Sequence, residues 1–96
     1  MTDLELLEAA AKAAGLPWDQ WVIDGDDSWN PLDDDGDALR LAVKLDLHIR
    51  FYRKHVDVDA EVHGKGVISE HFTTLKDAAT RRAIVRAAAE VGRSTK

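Results

Sequence analysis

The chain of 96 residues contains no cysteine. That excludes disulfides, thiolate metal sites and a cysteine nucleophile, and it fits a reducing compartment such as the cytosol. Proline is scarce, with only Pro17 and Pro31, so breaks imposed by proline fall in the first third of the chain. No apolar run approaches the roughly 18 residues of a membrane span. The opening residues MTDLELLEAA carry acids where a secretory leader carries bases, so neither a leader nor a membrane partner is expected. Bases are few in residues 1–46, which hold 3 Lys+Arg against 12 Asp+Glu. Residues 47–96 reverse the balance with 10 bases and 6 acids. Two such halves can attract each other across a fold or between subunits. Scattered solvated charge would have the same composition.

What is present is a globular mixture, 45% hydrophobic and 32% charged. The length makes one domain, residues 1–96. So short a chain buries only about 60–65% of its unfolded surface, and a homo-oligomer, which would add stability, is expected.

The pattern along the chain predicts an α-β-α-β-β-α order, with room for a fourth strand. A first helix spans residues 3–14. Thr2 followed by Glu5 forms a capping box, Leu7, Ala10, Ala11 and Ala14 face the core, and Gly15 with Pro17 ends it. Residues 18–24 read as a short strand, followed by the turn formers Gly25, Asp26, Asp27 and Ser28. Asn30 precedes Pro31 and is pushed out of helical geometry. A second helix starts at Asp34 or Asp35 and ends near Asp46, with Asp34 and Asp37 at capping spacing. Its apolar arc, Leu39, Ala42 and Val43 flanked by Ala38, Leu41 and Leu45, is wide enough to predict heavy burial across a sheet.

Residues 47–72 read as strands. Ile49 and Phe51 alternate with polar neighbours, and so do Val56, Val58, Ala60 and Val62. The apolar parity switches between Phe51 and Val56, which places a turn or a bulge near residues 53–55. Gly64-Lys65-Gly66 reads as a hairpin turn, and residues 67–72 as the third strand. Clean alternation after Val56 predicts one sheet face at least partly wet. A third helix spans residues 75–91. Thr74 and Asp77 have capping spacing, Ile84, Ala87, Ala88 and Val91 make the buried stripe, and Gly92 is the stop. The fold class is α+β, with three helices packed on a small antiparallel sheet.

Three pieces of the chain resemble the phage ABA sandwich domain family of tailed phages and prophages. They are the WNPL turn (Trp29, Asn30, Pro31, Leu32), DGDALRLAVKL (residues 35–45) and AATRRAIVRAAAEVGR (residues 78–93). The resemblance implies an α/β/α sandwich and a phage origin. It implies no reaction, no cofactor and no catalytic residue. A sandwich would cover both sheet faces, which stands against the wet face predicted after Val56.

Several constellations invite chemistry. Asp24, Asp26 and Asp27, then Asp33, Asp34, Asp35 and Asp37, offer hard oxygen ligands for a divalent cation, and a metal-dependent hydrolase is one alternative function. An EF-hand loop is excluded, because with Gly36 in sixth place Pro31 and Ala42 would fall on ligand positions. The competing reading is a capped helix with acids at its positive end. His48, His55, His63 and His71 form no short ligand pair, and His55 and His63 read as solvent-facing. Ser28, Ser69 and Ser94 lie in no nucleophile motif. Lys76, Arg81, Arg82, Arg86 and Arg93 could form a basic face on the last helix. Its element order is loosely similar to double-stranded RNA binders, although an acidic domain suits phosphate poorly. Trp18, Trp21 and Trp29 fall within twelve residues, as core anchors or, where exposed, as a partner site.

The sequence therefore predicts a non-catalytic phage accessory protein that acts by binding, with no cofactor. Its partner would be a host protein or a small-molecule ligand, as for an anti-defence factor, and nucleic acid is the alternative. Trp21, Trp29, Asn30, Asp35 and Asp37 are the expected interaction surface.

Overall fold

The structure is a computed structural model in which residues 2–15 and 29–93 are described. The strand expected over 18–24, its turn, Trp18, Trp21, Asp24, Asp26, Asp27, Ser28 and Ser94 lie outside those residues. Helix α1 (Asp3–Ala14) opens on the expected box: the Glu5 amide donates to the Thr2 hydroxyl and the Thr2 amide to the Glu5 carboxylate, both at 3.1 Å. Gly15 closes it at φ 73°, donating to the carbonyls of Ala11 and Lys12. Leu6 is the buried leucine, with Ala9, Ala10, Ala11 and Ala14, while Leu7 packs half-buried at the edge.

Helix α2 (Asp35–Lys44) is followed by Asp46 at φ 53°, a left-handed corner that aspartate tolerates. Three antiparallel strands come next: β1 (His48–Phe51), β2 (His55–Asp59) and β3 (Val67–His71), in the order β1-β2-β3. Phe51 faces Val56 across the two-residue turn Arg53-Lys54, which explains the parity switch. The β2–β3 connection departs from the expected glycine hairpin. Alternation holds through Ala60, then a 3₁₀ turn, Glu61–His63, exposes Val62. The loop closes by bonds between Ala60 and residues 63, 65 and 66, with Gly64 left-handed at φ 75°.

Helix α3 (Lys76–Arg93) is the centre of the molecule. It rests on β2 and β3, and both α1 and α2 pack against it. Val56, Val58 and Val85 are wholly buried where it meets the sheet. Each such side chain contributes about 1.5–3 kcal/mol of transfer free energy. Thr74 sits one residue too early to cap this helix, which begins at Lys76. Gly92 does not end it either. The site of a Cβ there lies 1.8 Å from the Ala9 carbonyl oxygen, so glycine is required by the close approach of α1.

Three helices on a three-stranded antiparallel sheet make the fold α+β. Among the described residues the helices share one side. On the other side of the sheet His48, Arg50, Tyr52, Ser69 and His71 are exposed, while on the central strand His55 and Asp57 are half-buried and Asp59 is buried, so that face is only partly wet. No helix among the described residues is long and apolar enough to cross a membrane.

Candidate functional site

The WNPLDDD segment builds a closed hydrogen-bond network. Asn30 turns the chain: its side-chain oxygen accepts from the Leu32 amide at 3.2 Å, and its carbonyl accepts from the amides of Asp33 and Asp34. Its side-chain amide donates to Asp33 at 3.2 Å. Asp34 is the N-cap of α2, accepting from the Asp37 amide at 2.8 Å. Asp37 does not reach back to Asp34 as a capping box would; aspartate is too short. Its Oδ2 instead accepts from the Asn30 amide at 2.8 Å and its Oδ1 from Arg40 at 2.6 Å. Asp37 is only 5% exposed, so both carboxylate oxygens are taken inside the fold. Trp29 is half-buried against the core.

Arg81 ties this loop to α3. Its Nε donates to the Leu32 carbonyl at 2.8 Å and its Nη1 to Asp35 at 2.6 Å. The other arginines of α3 are engaged as well. Arg82 reaches Asp3 at 3.0 Å, Arg86 bonds Glu70, and Arg93 bonds Glu90 at 2.9 Å. The Asp35–Arg81 and Asp3–Arg82 pairs join the acidic and basic halves of the chain. Of the five basic residues on this helix, Lys76 has no carboxylate partner among the described residues. Its ammonium sits 5.1 Å from the centre of the Phe51 ring and 5.9 Å from that of Phe72, a cation–π arrangement.

The histidines do not converge. Tyr52, His55 and His71 stack across the outer sheet face, at 4.5 and 5.3 Å between centroids. His63 is exposed, but its Nε2 donates to the Leu45 carbonyl at 2.8 Å, so it also holds the loop to α2. His48 lies 3.9 Å from Asp59, a buried acid that Arg50 approaches at 3.2 Å. Ser69 donates its hydroxyl to Asp57 at 2.6 Å. No group of three potential metal ligands occurs among the described residues.

A groove lies beside the Asp35–Arg81 pair. Leu39 and Val43, expected in the core, are 60% and 66% exposed, and Phe51 is 57% exposed. The physical reason is the placement of α3 over β2 and β3. Helix α2 follows α3 and buries Asp37, Ala38, Leu41 and Ala42, so Leu39 and Val43 of its apolar arc stay open, as does Phe51 of β1, while Ile49 is half-buried. Between them runs a depression of about 510 Å³ floored by Ala38, Leu39, Ile49, Phe51 and Ile84. A second hollow of about 310 Å³ continues it past Val43 to His48. The sequence held one signal of this groove, an apolar arc wider than a single contact requires, and burial was the wrong inference from it. Comparison with known protein families, characterised proteins and solved structures returns no match.

Proposed function

We propose that this chain is a phage or prophage accessory protein that acts by binding a host protein in the bacterial cytoplasm, without catalysis, through the side formed by α2 and β1. The observation that carries this reading is the grouping of exposed Leu39 and Phe51 around one groove, with exposed Val43 in the smaller hollow that shares Leu39 and Ile49 with it. Contiguous exposed apolar side chains mark interaction sites, and single ones do not. Engagement of the aspartates and arginines within the fold also favours docking over chemistry. Trp29, Asn30 and Asp37 then serve by holding α2 in place, and Asp35 lies on the rim of the groove.

The test is a comparison of variants. Immobilised wild-type protein and Leu39→Glu are exposed to host lysate, with Val62→Glu as an exposed apolar control on the 3₁₀ turn. Leu39→Glu should lose the retained host protein while keeping its circular dichroism, and Val62→Glu should keep it. Equal retention by all three removes the reading. Working as a homo-oligomer is part of this proposal; a light-scattering mass equal to the 10.6 kDa monomer at working concentration would contradict it.

A further inference from the structure

Among the described residues strand β1 is an edge of the sheet, and the groove runs along it. In an antiparallel ladder, residue pairs alternate between those that exchange backbone bonds and those that do not. Tyr52 donates to the His55 carbonyl at 2.9 Å, so that pair is a bonded one. The register then makes Arg50–Asp57 and His48–Asp59 bonded pairs, and Ile49–Val58 and Phe51–Val56 non-bonded pairs. The backbone N–H and C=O of Ile49 and Phe51 therefore point away from β2, toward the free edge. The same two residues send their side chains to the groove. Free main-chain groups and an apolar trough occur together over four residues, a length of about 13 Å.

We infer that the groove takes an extended peptide of a partner protein, added to the sheet beside β1, with alternating apolar and acidic residues. This rests on the proposed binding role and names its occupant. The apolar positions follow from the floor: side chains two residues apart would enter the larger hollow at Phe51 and the smaller one at Val43. The acidic positions follow from the other face. There the added strand would lie beside His48 and Arg50, which share the single Asp59 carboxylate, with Arg53 and Lys54 beyond them at the turn. Opposite charges on neighbouring strands are favourable and like charges are not. The same basic row disfavours a second copy of β1 as the occupant, because self-pairing would set His48, Arg50 and Arg53 against one another.

The probe is a capped seven-residue peptide alternating glutamate with valine and leucine, beside a matched peptide with lysine for glutamate. Amide hydrogen exchange of the full chain is read residue by residue. The acidic peptide should slow exchange at Ile49 and Phe51 by ~tenfold or more at about 1 mM, the concentration of a weak complex. The bonded amides of His48 and Arg50 should change little, and the lysine peptide should have no effect. Phe51→Ser, which removes an exposed side chain, should abolish the protection without unfolding the protein. Three results overturn the inference: protection of Ile49 and Phe51 already present without peptide, protection that grows with protein concentration alone, or none at saturating peptide. If the peptide fails while Leu39→Glu still loses its host protein, the binding role survives and the strand occupant does not. If both fail, both are wrong.

Discussion

Neighbouring residues at the start of α2 do different work, and burial tells them apart. Asp37 accepts from the Asn30 amide and from Arg40 while almost fully buried. Replacing it by alanine strands the part-buried Asn30 amide and should cost about 1–3 kcal/mol. Asp35 is largely exposed, and Arg81 keeps its bond to the Leu32 carbonyl without it. Asp35→Ala should therefore cost less than about 1 kcal/mol, the range of exposed ion pairs. Urea unfolding of the two variants checks the order, and equal losses would refute it. The Glu5 carboxyl is held below its usual range, first by the Thr2 amide and then by the Thr2 hydroxyl. A depressed carboxyl stabilises the fold above its unfolded pKa and loses that contribution as pH falls through the folded value. The N-terminus of α1 should thus loosen on acidification below the ordinary glutamate range. A carboxyl titration of Glu5 by NMR checks the direction, and Thr2→Val should return the group toward its usual value.

At the scale of elements, the contact between α1 and α3 is made by small residues. Gly92 leaves no room for a methyl group against the Ala9 carbonyl. Gly92→Ala should destabilise by at least about 2 kcal/mol, within the range of overpacking, although alanine is the better helix former. Helix α2 gives a contrast within one element. Leu41→Ala should cost ~2–5 kcal/mol as a core deletion, and Leu39→Ser should stay within about 0.5 kcal/mol as an exposed change. Thermal melts of the three variants measure both claims. The same elements show what the sequence could convey. Helix ends marked by a capping side chain or a left-handed glycine were legible: Thr2, Gly15 and Asp34 stand where local bonding needs them. The turn at Arg53-Lys54 was legible because pleat parity is a local rule. Gly92 and the pair Leu39 and Val43 were misread for one reason. Their roles depend on which helix lies against which, and a hydrophobic stripe does not name its neighbour. The 3₁₀ turn at Glu61–His63 imitated a strand because Val62 continued the alternation past the point where the backbone left the sheet.

For the molecule as a whole, the charge asymmetry of the chain is partly resolved within the fold. Asp35–Arg81 and Asp3–Arg82 bind the acidic half to the last helix, and Glu70 takes Arg86. What the proposed partner would meet, among the described residues, is the side where α3 does not reach: the α2 stripe, the edge of β1 and the Lys76 ammonium over its aromatic rings. The central claim is that the aspartates from 33 to 37 are used in architecture and leave binding to that side. The most direct measurement is the unfolding midpoint in calcium, magnesium or manganese against the midpoint in chelator. Ligands that bind the native state raise its stability with concentration. The account predicts no shift with any of the three ions. A saturable rise that disappears in Asp37→Asn would contradict it.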